Sequence, residues 1–393
     1  MTTFDFDTPL DRRNSDSGKW TRYAADVLPL WVADMDFRCP PPVIEALHAR
    51  VDHAVFGYGG DPAELRAVFC AHLAEQYGWN VPPEAIVFLP GLVSGINIAT
   101  RTVGAPGDGV LVCTPVYHPF LSAVDLQDRS LRNAPLAVST GLQNGLDTLY
   151  YEMDFAAIER AITADTRLHI LCNPHNPVGR AFNRTELETL AEHCLSHDLI
   201  ICSDEIHCDL LLDGAQHIPI AALDPDIAAR TITLMAPSKT YNLPGLGCSM
   251  AVIPDAELRK RFQRTAAGIV PHVNVLGLVA AQAAYSQCAD WLEELQRYLT
   301  ANRDFILQFA AQNLPSLATT IPEATFLAWL DCRHAGIDGN PYDFFLKKAR
   351  VALNDGAWFG PGGEGFVRLN FGCPRASLEQ ALERMAKALA AVR

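Results

Sequence analysis

The chain has 393 residues, of which 49% are hydrophobic and 19% are charged, a balance that is typical of a globular protein. This length is enough for one large domain with a smaller one, or for two or three domains, with an ample core. The formal net charge of −14 disfavours nucleic acid as a partner, because phosphate contacts need Lys and Arg. The most apolar region, residues 269–284, is too short and too interrupted by polar residues to predict a membrane span.

Two features of the composition bear on the cellular compartment. The first 20 residues are polar and acidic and lack the basic and apolar regions of a signal peptide. The eleven cysteines are scattered singly without a Cys-x-x-Cys pattern, which favours reduced thiols over a disulfide framework or a zinc site. We therefore expect a cytoplasmic protein.

The first elements in chain order are helices joined by loops. An apolar stretch at 28–37 is closed by acidic residues and is followed by three prolines, which would start a helix at 43–51. A glycine-rich loop at 56–60 comes next. Asp61 and Pro62 then predict the cap and first turn of a helix that runs to about Tyr77.

From about residue 84 the pattern alternates between strands and helices. Predicted strands, each a short apolar run, lie at 86–89, 109–113, 168–172, 199–202 and 231–235. A turn at 90–95 leads into an apolar helix at 96–103, and a capping-box pattern starts another helix at Thr185. Continuous apolar strands separated by helices indicate an α/β fold with a mainly parallel sheet that is covered on both faces.

After Trp291 the pattern changes to a long amphipathic helix and then to mixed elements. This change predicts a second, smaller α+β domain. We place the large domain at 46–290 and build the small domain from 1–45 and 291–393.

Lys239 lies in a Ser-Lys-Thr loop directly after the predicted strand 231–235. Open α/β sheets hold their ligands at the carboxyl ends of the strands. A lysine amine is a nucleophile only when unprotonated, and its main covalent use is a Schiff base with a carbonyl such as that of pyridoxal 5'-phosphate (PLP). The alternative is a surface lysine in a loop rich in proline and glycine.

Asp204 ends another predicted buried strand, where a carboxylate is costly unless a cation pairs with it. A protonated pyridine nitrogen is such a cation, and a helix cap is the alternative. A metal site is disfavoured because alternate residues of an extended strand face opposite ways. Its ligands would be Asp204, Glu205, His207 and Asp209.

The remaining loops carry groups that suit a phosphorylated aromatic ring. The backbone amides of Leu92 and Val93 open a helix and could hold phosphate, and Ser238 could add its hydroxyl. Tyr117 could stack on a planar ring or simply pack in the core. Asn176 offers an amide to a phenolic oxygen, although Asn-Pro also favours turns.

Arg368 lies in a strand-like apolar run at 365–371. An arginine in such a place needs an anion. That anion is either a substrate carboxylate held by two hydrogen bonds or the partner in a structural salt bridge.

Taken in order, these residues resemble the PLP-dependent fold type I enzymes of the class I/II aminotransferase group. The matching motifs are Tyr117, Asn-Pro-His-Asn-Pro-Val-Gly at 173–179, Ser-Asp-Glu-Ile-His at 203–207, Ser-Lys-Thr at 238–240, and Arg368. Pro-Leu-Trp-Val-Ala-Asp-Met-Asp-Phe at 29–37 and Arg-Leu-Asn-Phe-Gly-Cys-Pro-Arg at 368–375 are similar to the bacterial cystathionine β-lyase branch. The resemblance covers nearly the whole chain.

The resemblance implies a role for each matching position. Lys239 would be the Schiff-base lysine and the acid and base at Cα, and Asp204 would pair with the pyridine nitrogen. Asn176 would contact the phenolic oxygen, and Tyr117 would stack on the ring. The phosphate would be held by Leu92, Val93 and Ser238.

Further implied roles concern the substrate and a second copy of the chain. Arg368 would bind the substrate α-carboxylate, with the backbone of Ala33 nearby. Tyr58 would reach the phosphate in the neighbouring active site, which implies a homodimer. His207 occupies the position of a cofactor-contacting tyrosine of the aminotransferases, and Gly247 that of their phosphate-binding arginine.

The C–S lyase branch also lacks that tyrosine and that arginine, so the resemblance favours a lyase over a transaminase. It implies β-elimination from L-cystathionine or related cysteine S-conjugates, giving pyruvate, ammonia and a thiol. Two alternatives stay open: an aminotransferase with the same cofactor, and a non-catalytic regulator or binding protein that keeps the fold.

Overall fold

The computed structural model describes residues 4–392. Within this range the α-helices, numbered α1 to α14, are Gly18–Thr21, Pro41–Asp52, Ala63–Tyr77, Leu92–Thr102, Pro119–Leu126, Phe155–Ala161, Arg184–Ser196, Pro225–Ala228, Pro237–Thr240, Ala256–Ala266, Val275–Gln287, Ala289–Asn313, Pro341–Phe344 and Arg375–Ala390. The strands, numbered β1 to β15, are Leu28–Pro29, Ile86–Leu89, Gly109–Thr114, Ser130–Pro135, Ala137–Gln143, Leu146–Glu152, Thr166–Cys172, Ile200–Asp204, Thr231–Met235, Ser249–Val252, Ala318–Thr320, Leu327–Asp331, Val351–Ala352, Asn354–Asp355 and Phe366–Asn370.

Seven strands form the larger sheet, in the order β2-β10-β9-β8-β7-β3-β4. Its strands are parallel except β10, which runs antiparallel to both of its neighbours. All five strands expected from the apolar runs belong to this sheet. In β3 and β9 every residue is buried, which is why these strands read as continuous apolar runs. The expected mainly parallel sheet is confirmed.

In the part of the chain after residue 84, two helix starts differ from the expected ones. Helix α4 begins at Leu92 rather than at residue 96, because the turn after β2 is complete at Gly91. Helix α7 begins one residue before Thr185, with Asn183 as its cap. The Asn183 side chain accepts from the Glu186 N–H at 3.0 Å, and the Glu186 carboxylate accepts from the Asn183 N–H at 2.9 Å. This is the reciprocal pair that defines a capping box.

Six strands form the second sheet, in the order β14-β15-β12-β11-β6-β5. Strands β5 and β6 lie within 46–290 of the chain, yet β6 pairs in parallel with β11 from the C-terminal part. Strand β1 pairs in parallel with β13, and so ties the N-terminal segment to the C-terminal part. The limits 46–290 for the large domain, and 1–45 with 291–393 for the small one, stay a prediction.

The two sheets bring separate parts of the chain to one place. The loops after β3, β7, β8 and β9 leave the same edge of the larger sheet, because these strands are parallel. Strand β15 of the second sheet faces that edge with Arg368. None of the helices within residues 4–392 combines the length and hydropathy needed to span a bilayer.

Candidate active site

A cavity of about 260 Å³ lies where these loops meet strand β15. It is lined by all but one of the site residues that are expected from the sequence. These are Ala33, Leu92, Val93, Tyr117, Asn176, Asp204, His207, Ser238, Lys239 and Arg368. The exception is Tyr58, whose side chain is fully exposed and borders a separate surface depression with Arg66 and Pro271.

Lys239 extends into the cavity from α9, directly after β9. Its Nζ donates to the carbonyl oxygen of Ala33 at 2.5 Å. Burial, together with the Arg368 guanidinium, lowers the pKa of Lys239 to about 8. Roughly one tenth of the amine is therefore unprotonated at neutral pH. A surface lysine, which was the alternative, would keep its ordinary pKa and would be a poor nucleophile.

Asp204 ends β8, and in the part of the chain that the structure describes no cation contacts its carboxylate. One oxygen accepts from the Ile206 N–H at 3.1 Å, the local bond expected of a cap. No ion pair among residues 4–392 includes Asp204. Burial, with Glu205 beside it, raises the pKa of Asp204 to about 7. A cationic ligand group next to this carboxylate would favour its charged form.

Arg368 is held by neutral acceptors rather than by a carboxylate. Its guanidinium donates to the side-chain oxygens of Asn176 at 2.9 Å and Asn354 at 2.5 Å, and to the carbonyl of Trp31 at 3.1 Å. Its Nε is buried without a hydrogen-bond partner in the described part of the chain. Burial lowers the pKa of Arg368 to about 10, so the group stays charged at neutral pH. The positive charge is thus left for an anionic ligand.

The end of the cavity at α4 offers backbone amides. Gly91 is the N-cap residue of α4 and has no side chain to occupy the first amides of Leu92 and Val93. Gly247 has a left-handed φ of +57°, and a Cβ there would lie 3.0 Å from the carbonyl oxygen of Pro90. An arginine at this position would therefore be strained, which accounts for glycine where the aminotransferases have arginine.

His207 and Tyr117 flank the cavity in different environments. The His207 ring packs edge-on against Phe326, with ring centroids 5.9 Å apart, and its Nδ1 lacks a hydrogen-bond partner among residues 4–392. Burial and the nearby Lys239 lower the pKa of His207 to about 3, so the ring is neutral at neutral pH. The Tyr117 N–H donates to the Asn176 carbonyl at 3.1 Å, which connects two of the predicted positions.

Two asparagines that the sequence did not single out hold the segment above Lys239. The Asn242 side chain accepts from the Met35 N–H at 2.9 Å and donates to the Phe37 carbonyl at 3.0 Å. The Asn370 amide donates to the carbonyls of Val32 and Asp34 at 2.7 and 2.8 Å. Asn370 lies within the motif at 368–375, and Asn242 lies two residues after Ser-Lys-Thr, but nothing local indicates contacts more than 200 residues away.

Asp209 supports the lysine loop from behind. Its carboxylate accepts from the Thr240 hydroxyl at 3.0 Å, pairs with His72 Nε2 at 3.0 Å and accepts from the Tyr77 hydroxyl. Burial alone would raise its pKa, but the contacts with His72, Tyr77 and Thr240 lower it. The neighbouring Glu205 instead pairs with His217 at 2.7 Å. The carboxylates of Asp209 and Glu205, two of the ligands of the disfavoured metal site, thus contact different partners.

Comparison with known proteins identifies what this arrangement resembles. The family model described as aminotransferase class I and II matches residues 25–385. Cystathionine beta-lyase PatB of Bacillus subtilis is 40% identical over 98% of this chain and 99% of its own length. A crystal structure of OvoB is 45% identical, with a TM-score of 0.92, over 98% of this chain and 99% of that one. The PLP-bound C–S lyase of Staphylococcus hominis is 32% identical, with a TM-score of 0.91, over 99% and 98%.

The family match spans most of the chain, and these relatives cover nearly all of it at 32% to 45% identity. The chain therefore belongs to the class I and II aminotransferase family.

Proposed function

We propose that this protein is a PLP-dependent carbon–sulfur β-lyase that converts L-cystathionine or related cysteine S-conjugates to pyruvate, ammonia and a thiol. The observation that carries the proposal is one cavity that combines three groups. They are the amine of Lys239 with its lowered pKa, the unpaired carboxylate of Asp204 and the guanidinium of Arg368. The two relatives named for lyase activity support the same reaction.

The residues present fit PLP. The buried carboxylate of Asp204 suits a pyridinium nitrogen, and the side-chain NH2 of Asn176 suits a phenolic oxygen because its Oδ1 already accepts from Arg368. Tyr117 would lie against the ring, and His207 would border the ring as a neutral group. The phosphate would be held by the amides of Leu92 and Val93 and by the hydroxyl of Ser238. When bound, PLP supplies the electron sink for chemistry at Cα.

The chain's own residues would place and deprotonate the substrate. Arg368 would hold the α-carboxylate through its fork of N–H groups, which fixes the orientation of Cα. The amine of Lys239, when unprotonated, would take the Cα proton as a general base. The carbonyl of Ala33 accepts from that amine and so keeps it on the cavity side of α9. The Cβ–S bond would then break and the thiolate would leave, and water would hydrolyse the released aminoacrylate to pyruvate and ammonia.

We also propose a homodimer in which Tyr58 reaches the neighbouring active site. Tyr58 is fully exposed, and Val55 and Phe56 beside it are 62% and 57% exposed. Val93, at the α4 end of the cavity, is 45% exposed. Exposed apolar side chains, both around Tyr58 and at the α4 end of the cavity, favour coverage by a second copy of the chain.

Free cysteines support a reducing compartment. The eleven cysteines are all unpaired, and nine of them are buried. Disulfides form and persist in oxidising compartments, whereas thiols stay reduced in the cytosol. We infer a cytoplasmic location, with a small sulfur amino acid as the partner and with neither nucleic acid nor membrane involved.

The deciding experiment is pyruvate release from L-cystathionine by PLP-loaded protein with no 2-oxoacid added. We expect pyruvate and free homocysteine thiol in equal amounts over many turnovers. Cysteine S-conjugates are tested in parallel, because they share the reacting bond. Activity that appears only when an amino donor and a 2-oxoacid are both supplied would contradict the lyase and favour an aminotransferase. Inactivity in both assays would favour a binding protein.

A further inference from the structure

Three side chains on the outer helices converge away from the active-site cavity. Glu159 lies on α6, and His193 and His197 lie on and just after α7. The Glu159 Oε2 is 3.1 Å from His193 Nδ1 and 3.0 Å from His197 Nε2. None of the three lines the active-site cavity. They are therefore a separate cluster with no part in the proposed lyase reaction.

The sequence spacing explains why the two rings meet at one carboxylate. Residues four apart on a helix lie on the same face, so His193 and His197 point in one direction. Each ring presents one nitrogen to Glu159, and the three donor atoms all lie within 4.8 Å of one another. Two imidazoles and one carboxylate are a ligand set that divalent transition metals bind in proteins.

We propose that Glu159, His193 and His197 bind a divalent transition-metal ion such as Zn²⁺ or Ni²⁺, with water completing the coordination. Metal–ligand bonds of about 2.0–2.2 Å place neighbouring ligand atoms roughly 3.4 Å apart in a tetrahedron and roughly 3.0 Å apart in an octahedron. The present separations of 3.0 and 3.1 Å already lie close to this range. The two histidine nitrogens lie within 4.8 Å of each other, so an ion would draw the three side chains into its coordination geometry by rotations, with the release of any protons shared there.

The packing of the two helices holds His193 in place before any ion arrives. The His193 ring stacks on Phe155 at a centroid distance of 5.7 Å and an interplanar angle of 4°. Helix α7 is fixed by its capping box, and α6 is capped by Asp154, whose side chain accepts from the Ala157 N–H at 2.9 Å. Prior ordering of this kind lowers the entropic cost of binding.

The outer side of the cluster is open to solvent. The side chains of Glu159, His193 and His197 are 53%, 23% and 33% exposed. Water can therefore reach the ion as the remaining ligand, as in zinc sites that have three protein ligands. Because the ion would bridge α6 and α7 in the native state only, it would also stabilise that state.

The test is calorimetric titration of Ni²⁺ into the PLP-loaded protein without a histidine tag or free PLP, at about pH 8, where free imidazole is mostly neutral. Ni²⁺ is chosen because it suits imidazole, whereas the partly exposed thiols of Cys39 and Cys70 would compete for softer ions. We expect one ion per chain. Either His193→Gln or His197→Gln should weaken binding by at least about 10-fold.

His334→Gln is the matched control, because His334 is exposed and lies outside the cluster. It should leave the isotherm unchanged. In a second readout, Ni²⁺ should raise the Tm of the wild type and of His334→Gln but not that of His197→Gln. Absence of binding to the wild type, or equal isotherms for the wild type and both cluster variants, would overturn the proposal. The proposed lyase function is tested separately, by measuring pyruvate release in the presence of a metal chelator.

Discussion

The amine of Lys239 donates to the carbonyl oxygen of Ala33 at 2.5 Å, although 206 positions separate the two residues in the chain. The segment that carries Ala33 is held in turn by the side chains of Asn242 and Asn370. The position of the reactive amine therefore depends on the N-terminal segment as well as on α9. This contact also leaves the amine facing Asp204 and Arg368 across one cavity.

Lys239→Ala should reduce pyruvate release by at least about 10³-fold, because it removes both the nucleophile and the acid–base group. Lys347→Ala is the control, since Lys347 is 66% exposed and pairs with Asp343 on the surface. The steady-state rate with L-cystathionine, or with the best cysteine S-conjugate, is the measurement. A Lys239→Ala variant that retains near wild-type elimination would show that another group does the chemistry.

Asp204→Asn should stabilise the protein without PLP at neutral and alkaline pH. Burial raises the pKa of Asp204 to about 7, above the ordinary value of about 3.9. Its contribution to stability is therefore greatest below the unfolded pKa and is lost as the pH rises towards 7. At pH 8 the ionised Asp204 lowers the free energy of unfolding of the wild type by up to roughly 4 kcal/mol. Asn at this position carries no charge and avoids that loss.

The measurement is the Tm of wild type and Asp204→Asn without PLP at several values between about pH 5 and pH 8. The Tm of Asp204→Asn should exceed that of the wild type by an amount that grows with pH. Adding PLP should raise the Tm of the wild type more than that of the variant. Comparing the two proteins at each pH cancels the titration of the buried histidines. A constant difference in Tm across the range would contradict the assignment of the raised pKa to Asp204.

Arg368→Lys should lower kcat/KM by about 10²-fold while PLP binding is retained. Lysine keeps the charge but loses the planar fork that can hold a carboxylate with two hydrogen bonds. Arg333→Lys is a suitable control, because Arg333 pairs with Asp331 and is 51% exposed. Kinetics with a cysteine S-conjugate and the visible absorbance of bound PLP are the two readouts. An unchanged KM and kcat would place the substrate carboxylate elsewhere.

Mixing Tyr58→Ala with Lys239→Ala should restore activity that neither variant has alone. In a hybrid dimer, one active site would receive Lys239 from one chain and Tyr58 from the other. Random exchange of subunits makes half of the dimers hybrid, so about one quarter of the wild-type rate is expected. Sedimentation establishes the dimer independently. If subunit exchange is shown but the mixture is no more active than the two separate variants, Tyr58 does not reach the neighbouring active site.

The positions that the sequence indicated are those with a strong local signal. Lys239 follows a strand that is buried throughout, and Asp204 is the last residue of a strand that is buried except at Ile200, so both apolar runs could be recognised without knowledge of the fold. Residues expected at one edge of a parallel sheet do meet in one cavity. The sequence predicts the start of α4 at residue 96, four residues later than its actual start at Leu92, because the turn residues before it suit a loop equally well.

Other features depend on contacts between distant parts of the chain. No local sequence pattern marks Asn354, yet its side chain accepts a hydrogen bond from Arg368, which is 14 residues away and on the neighbouring strand. The Asp209 carboxylate that accepts from Thr240 also contacts His72 and Tyr77, which are more than 130 residues away in the chain. Likewise, β6 joins the second sheet by pairing with β11. No short-range periodicity encodes such pairings.

The sequence by itself thus determined the chemical groups and their order along the chain, because turn chemistry and hydrophobic periodicity are local properties. The tertiary structure decided which of these groups share one cavity and how each is charged. Burial and neighbouring charges lower the pKa of Lys239 to about 8 and raise that of Asp204 to about 7. These shifts arise from desolvation and from charges across the cavity, and both exist only in the folded chain.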